Sequence, residues 1–308
     1  MKPDPHPLDF DWRYNEDTVT RLVELSKPSM SLLAIGSPSI VELAEGKNVK
    51  TLLVDRQPAQ SVKNHLLKDV NINAPLMESF DCIYLDPPWY LPEMFRWVSW
   101  AAQSCAYRGV IYLSLWPEET RPSAVEEREK LFDWLDEWAS YETHLGFLTY
   151  EMPRFEHKAS QVTNIIPDEK EWRKGDLVVI RPDKLPELHP TIDGSEIWHR
   201  FIINNYQLAV RIDKYTGGDV SLEKHHDANG WNWPSVSKRA IGRELINIWS
   251  SDNEVGIING TSDAIVFIQK VLGVSSDNSD FSGDFTSLGQ WNLPKKPYER
   301  VIEWVHQS

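Results

Sequence analysis

Residues 80–95 read FDCIYLDPPWYLPEMF, an apolar strand that runs into an aspartate, two prolines and a tryptophan. Proline has no N–H to give a sheet ladder, so Pro87 and Pro88 are expected just past the strand's end. A residue that precedes proline is pushed toward extended backbone, which holds both Asp86 and Pro87 stiff. The stretch therefore predicts a rigid shelf that carries a carboxylate, a backbone carbonyl outside the ladder and the ring of Trp89.

Working outward, residues 13–27 have helical apolar spacing, with Asn15 as N-cap and acids in the first turn. SLLAIGSPS (31–39) reads as a buried strand ending at Gly36, IVELAEG (40–46) as a short helix stopped by Gly46, and VKTLLVD (49–55) as a second buried strand ending at Asp55. Residues 59–68 look helical, and DVNIN (69–73) is the expected third strand. After the shelf come a helix over 94–106, a strand over 109–117, a helix over 123–140 and strands over 143–152 and 175–182. Short apolar strands separated by helices predict a parallel sheet wrapped by helices, whose ligands bind beyond the carboxyl ends of the strands. GSPS (36–39), Asp55 and DPPW (86–89) all fall at such ends.

Each of the three has a chemistry. A glycine where strand turns to helix lets the backbone pass close to a ligand, and helix amides then face its polar groups. The phosphate-cradling GxGxxG is absent, which points away from dinucleotides and toward a cofactor without phosphate, S-adenosylmethionine. Asp55 lies 19 residues after Gly36, the offset at which an acid reaches ribose hydroxyls. On the shelf, the Asp86 carboxylate and the Pro87 carbonyl can accept both hydrogens of an amine while its lone pair points outward. Trp89 can stack on a flat base or line a channel for an alkyl-ammonium tail.

The motifs DWRYNEDT, LLAIGSPS, LLVDRQ and FDCIYLDPPWY occur in that order between residues 9 and 90. Over roughly residues 9–180 the chain resembles class I methyltransferases that act on amino nitrogens. More closely, it resembles an N6-adenine methyltransferase family that includes an elongation-factor lysine methyltransferase and a zinc-finger ribosomal RNA adenine methyltransferase. The resemblance implies a Rossmann-like α/β sheet, cofactor contacts from Tyr14, Gly36, Ser37, Pro38, Ser39 and Asp55, and target-amine binding by Asp86, Pro87, Pro88 and Trp89. The chain departs from the pattern where Arg13 separates Trp12 from Tyr14, where Ile40 replaces a frequent aromatic, and throughout 186–308.

Two domains are expected: a methyltransferase domain over 1–185 and a smaller mixed or β-rich accessory domain over 186–308, for substrate or partner recognition. Net charge is −14, with no clustered basic duplex-binding surface. That charge favours a cationic acceptor such as a protein lysine, whereas the DPPW tryptophan favours adenine N6 in nucleic acid. A catalytically inactive scaffold with a protein partner on 186–308 is the reading from another class. Two cysteines build neither a disulfide framework nor a metal quartet. No apolar run is long enough to cross a membrane and no leader layout opens the chain, so a cytoplasmic location and no membrane partner are expected. In EMPRFEH (151–157), Arg154 and Phe155 are candidate substrate contacts. Adjacent His225, His226 and Asp227 are expected to hold no metal, and NGWNWPS (229–235) shows two tryptophans in a turn-like context, read first as packing against the methyltransferase domain and second as a surface for partner or base stacking.

Overall fold

The structure is a computed structural model, describing residues 3–26, 30–45, 47, 49–59, 61–165, 168, 172–194, 196–212, 220–274, 283–284 and 286–307. Gly46, expected as a helix stop, lies outside these residues, as does most of VSSDNSDFSGDF (274–285), whose sequence reads as a loop. The chain forms two compact units, one of Arg13–Glu151 with Glu169–Asp193, the other of Met1–Trp12, Met152–Asp168 and Gly194–Ser308. The division thus falls at Gly194 rather than at 185/186, and two earlier segments join the second unit. The displacement has a local cause. Pro186 O accepts from Gln103 Nε2 (2.7 Å), His189 O from Arg96 Nη1 (2.6 Å), and Ile192 N donates to Asn71 O (3.0 Å), which keeps 186–192 on the first unit.

In the first unit the strands are β1 (Ser31–Ile35), β2 (Lys50–Asp55), β3 (His65–Leu67), β4 (Phe80–Leu85), β5 (Cys105–Leu115), β6 (Ala139–Thr149) and β7 (Lys174–Pro182). Their order is β3-β2-β1-β4-β5-β7-β6, with β7 antiparallel to both its neighbours. This is the Rossmann-like α/β sheet that the resemblance implied. Helices α1 (Glu16–Leu25), α2 (Pro38–Ala44), α3 (Leu91–Gln103) and α4 (Ala124–Asp136) pack around it. Asn15 caps α1, its Oδ1 accepting from Thr18 N at 2.9 Å. The central strands are apolar on both faces because helices cover both, and Leu32, Leu33, Ala34, Ile35 and Ile83 are all fully buried.

Two expectations near β3 are corrected. Among the described residues of 59–68 there is no helix; His65–Leu67 form the third strand instead, paired to Leu53–Asp55, and 69–73 is a turn. Val62, Leu66 and Leu67 have helix-compatible spacing, but the open edge of β2 supplies ladder partners that outweigh it.

The second unit holds β8 (Ile197–Ile203), β9 (Tyr206–Arg211), β10 (Val220–Lys224), β11 (Ile248–Ser250), β12 (Val255–Asn259), β13 (Gly283–Asp284) and β14 (Val301–Gln307), in the order β13-β10-β12-β11-β9-β8-β14. With α5 (Arg154–Thr163) and α6 (Thr261–Leu272) it is the β-rich domain expected. Side chains alternate by face: Leu208 and Val210 join Ile265 and Ile268 of α6, while Ala209 joins Leu8, Trp198 and Trp249. Trp231 and Trp233 of NGWNWPS belong to these cores, 8% and 1% exposed, and so present no stacking surface. His225, His226 and Asp227 bring ligand atoms within 4.8 Å of one another. Both His225 ring nitrogens are already engaged, one by Gly242 O (3.1 Å) and one by Asp227 N (3.2 Å).

Ile83→Ala, in the fully buried centre of β4, is expected to cost about 2–5 kcal/mol in chemical denaturation. Leu145→Ala, at a position 77% exposed, is expected within about 0.5 kcal/mol of wild type. Equal effects would contradict this placement of the core.

Candidate active site

Ladder register places the site. Ile35 of β1 lies opposite Val54 of β2 and Leu85 of β4, and Leu85 lies opposite Leu113 of β5. One residue further on, the row reads Asp55, Gly36, Asp86, Ser114. At about 4.8 Å per strand, Asp55 and Asp86 stand roughly 10 Å apart across the Gly36 turn. Gly36 N donates to Val54 O at 3.0 Å, and Asp86 N to Ile35 O at 3.4 Å, as the last ladder bonds before the strands part.

Gly36 has φ +71°, and a Cβ there would come 3.1 Å from Trp97 Cζ3 and 3.4 Å from the Asp86 carbonyl oxygen. The turn requires glycine both for its conformation and for that close approach. After it, Ser37 is buried, and its hydroxyl has no hydrogen-bond partner among the described residues. Pro38 and Ser39 are half-buried at the start of α2. Asp55 is half-buried, its Oδ1 accepting from Gln57 N at 2.8 Å, which fixes the carboxylate at the strand's end. An orphaned hydroxyl, a cradle that a Cβ would fill and a fixed acid suit a ligand carrying a carboxylate and ribose hydroxyls.

Around Asp86 the structure assembles a hydroxyl cluster. Tyr150 donates to Asp86 Oδ1 at 2.9 Å, Ser114 Oγ bonds the Tyr150 hydroxyl, and Trp89 Nε1 donates to Ser114 Oγ at 3.4 Å. An indole N–H only donates and a carboxylate only accepts, so the protons run from Trp89 through Ser114 and Tyr150 to Asp86. The Tyr14 hydroxyl bonds within the same group. Tyr14 bridges to Tyr150 through the backbone, their rings 4.8 Å apart, while Trp89 meets Tyr150 edge-on at 5.7 Å. The Arg173 guanidinium lies 4.8 Å from the Trp89 ring centre.

Burial pushes the Asp86 carboxyl up to about 7, against the opposing pull of Ser114, Tyr150, Tyr14 and Arg173. The residue as a whole keeps some exposed surface, but its carboxyl is enclosed enough for desolvation to prevail. The Tyr14 and Tyr150 hydroxyls are pushed well up, first by burial and then by the Asp86 charge.

The structure thus brings Tyr14, Gly36, Ser37, Asp55, Asp86, Pro87 and Trp89 to one end of one sheet. Arg154 and Phe155 belong to the other unit, where Arg154 Nη2 pairs with the buried Asp252 carboxylate at 2.9 Å. Phe155 is fully buried beside Trp12 and offers no surface to a substrate. Trp12 also parts from Tyr14, its indole donating to Glu156 Oε1 at 3.1 Å. Sequence reasoning missed Ser114, Tyr150, Trp97 and Arg173. Ser114 had a signal, as a hydroxyl inside the apolar run GVIYLSLW; the others had none.

No family's sequence model matches the chain, and no curated protein matches it. Among solved structures, the chain is similar to the branched-chain polyamine synthase from Thermus thermophilus in complex with N4-aminopropylspermidine and 5′-methylthioadenosine. The C9 mutein of that enzyme shows 15% identity, coverage of 63% of this chain and 64% of that one, and a TM-score of 0.53. The parent enzyme gives 13% identity with the same coverage and TM-score. An O-methyltransferase of tomaymycin synthesis from Streptomyces achromogenes, in complex with S-adenosylmethionine, gives 12% identity, coverage of 54% and 80%, and a TM-score of 0.34. The chain spans just under two thirds of the polyamine synthase's length. At this identity the likeness to the polyamine synthase is one of fold.

The raised Asp86 carboxyl has a consequence for stability. Between pH 4 and 7 the folded chain binds a proton that the unfolded chain has released, so stability falls as pH rises through that window and stays low above about 7. Asp86→Asn has no carboxyl to ionise. Its urea midpoint is expected to match or exceed wild type by an amount that grows from pH 4 to 7; parallel pH curves would contradict this.

Proposed function

We propose that the chain is an S-adenosylmethionine-dependent methyltransferase acting on an amino nitrogen, with adenine N6 in nucleic acid as the favoured acceptor. One observation carries the reading: a cofactor-type glycine turn, a ribose-type acid and an amine-type shelf occupy adjacent ends of one sheet, in a single register row. S-adenosylmethionine, when bound, supplies an electrophilic methyl group on a sulfonium sulfur. Ser37 and the Gly36 turn would hold its polar end, and Asp55 its ribose. Asp86 in its ionised form accepts a hydrogen of the acceptor amine, and the Tyr150–Ser114–Trp89 chain keeps that carboxylate in one orientation. Positioning of this kind supplies most of the rate in an in-line transfer.

Two acceptor readings compete. A protein lysine suits the acidic chain. A polyamine amine is suggested by the polyamine synthase of similar fold. An inactive scaffold would bind the cofactor weakly or not at all.

Calorimetry on wild type and Asp55→Ala tests the cofactor: binding in wild type, weakened roughly 10–100-fold in the variant, is expected. No binding to wild type would sink the enzyme reading for the chain alone. With an acceptor identified, single-turnover rates are expected to rise through about pH 7 and level off, as Asp86 ionises. Asp86→Ala should lose on the order of 10²–10³ in rate with cofactor affinity kept. A rate that is flat from pH 5.5 to 8.5 would remove Asp86 from this role.

A further inference from the structure

Arg173 has no part in the cofactor and amine contacts described above, yet it stands beside them. It lies just before β7, and its carbonyl accepts from Tyr150 N at 3.1 Å, which ties its backbone to the residue that orients Asp86. Its guanidinium carbon is 4.8 Å from the Trp89 ring centre and 5.1 Å from that of Trp172. Its charge acts on Asp86, drawing the carboxyl down against burial. Gly175 makes the packing under this arrangement close. A Cβ there would come 3.3 Å from both Trp89 Cζ2 and Tyr150 Cε2.

Resting on the reading of Asp86–Trp89 as the acceptor shelf, we infer that Arg173 forms an anion subsite beside it that holds a phosphate of a single-stranded nucleic-acid acceptor. Three physical points carry this. A guanidinium over an indole face keeps its donors in the plane of the fork, the geometry that grips phosphate bidentately, and it is weakly hydrated, so burial beside an aromatic costs it little. A fixed cation next to the shelf opposes a second cation there, whether lysine ammonium or polyamine. A neutral exocyclic amine flanked by phosphates meets no such opposition. The strand must be single or the base flipped, since a stacked base cannot bring its amine down to a strand end.

The test titrates three probes into the full chain: a short single-stranded oligoadenylate, spermidine and a lysine-rich peptide. Each is followed by tryptophan fluorescence at several salt concentrations in wild type, R173Q and R173K. Oligoadenylate is expected to bind wild type most tightly of the three. R173Q should weaken it roughly tenfold and flatten the dependence of log affinity on log salt by about 0.7, one phosphate's share for a single strand. R173K, with charge but no planar fork, should retain the salt slope and recover only part of the affinity. Unchanged oligoadenylate affinity or slope in R173Q overturns the subsite. So does tighter binding of spermidine or the peptide than of oligoadenylate by wild type, which would leave a cationic acceptor in its place. A parallel titration with S-adenosylmethionine is expected to be the same in all three proteins. Its failure in wild type would count against the methyltransferase reading while the oligoadenylate slopes still decide the role of Arg173.

Discussion

Parallel pairing in register is the constraint on which the rest of the first unit depends. Because β1 pairs with β2 and β4 without offset at their carboxyl ends, Gly36, Asp55 and Asp86 emerge from the sheet side by side. A slip of one residue in either pairing would turn a strand's side chains to the opposite face and carry its terminal acid with them. The opposite end of the sheet is pinned to prevent such a slip. The Asp81 carboxylate, at the start of β4, accepts from Met30 N at 3.1 Å and from Ser31 N and Oγ at 2.9 Å each, at the start of β1. A surface carboxylate far from the site thereby holds its geometry.

Within the site, two tendencies of comparable strength meet on one carboxyl. Burial favours the neutral acid, while three hydroxyls and a guanidinium favour the ion, and the outcome lies near neutrality of the medium rather than at either extreme. A more polar pocket would hold a permanently charged Asp86. A more apolar one would hold a permanent acid with a reduced capacity to accept. The aromatic walls of Tyr14, Tyr150 and Trp89 and the two hydroxyls and indole N–H they carry are the same side chains, so packing and charge at this position cannot be varied independently.

Much of this was legible in the sequence, and the reasons are local. Proline after aspartate ends a strand wherever it occurs, so DPPW located the shelf; Asn15 announced α1 by the chemistry of its side chain, and the apolar runs announced β1, β2 and β4. What escaped notice depended on tertiary pairing. The third strand was displaced because a free edge on β2 captured His65–Leu67 in spite of their helix-like spacing. Tyr150 stands beside Asp86 with a backbone bridge to Tyr14, and Arg173 is bonded to Tyr150, pairings that come from tertiary structure. Arg154 and Phe155, read as substrate contacts from their place between strands, fall in a segment that folds with the other unit.

That segment is one of several that pass between units: the chain changes unit four times, near residues 12, 151, 168 and 193. The second unit is therefore made of three stretches that lie far apart in the sequence. His6 hydrogen-bonds Trp249 O, and Arg200, wholly buried, bonds His6 and Asp9. With 243 residues between His6 and Trp249, and synthesis at roughly 5–20 residues per second, residues 4–9 wait roughly 10–50 s for their neighbours. The first unit can collapse from the ribosome as it emerges, apart from β7, while the second cannot close its core until Trp249 has been made. A stalled or truncated chain would then carry a nearly formed first unit with an orphaned leading strap, its apolar Leu8 and Phe10 exposed to chaperones and proteases.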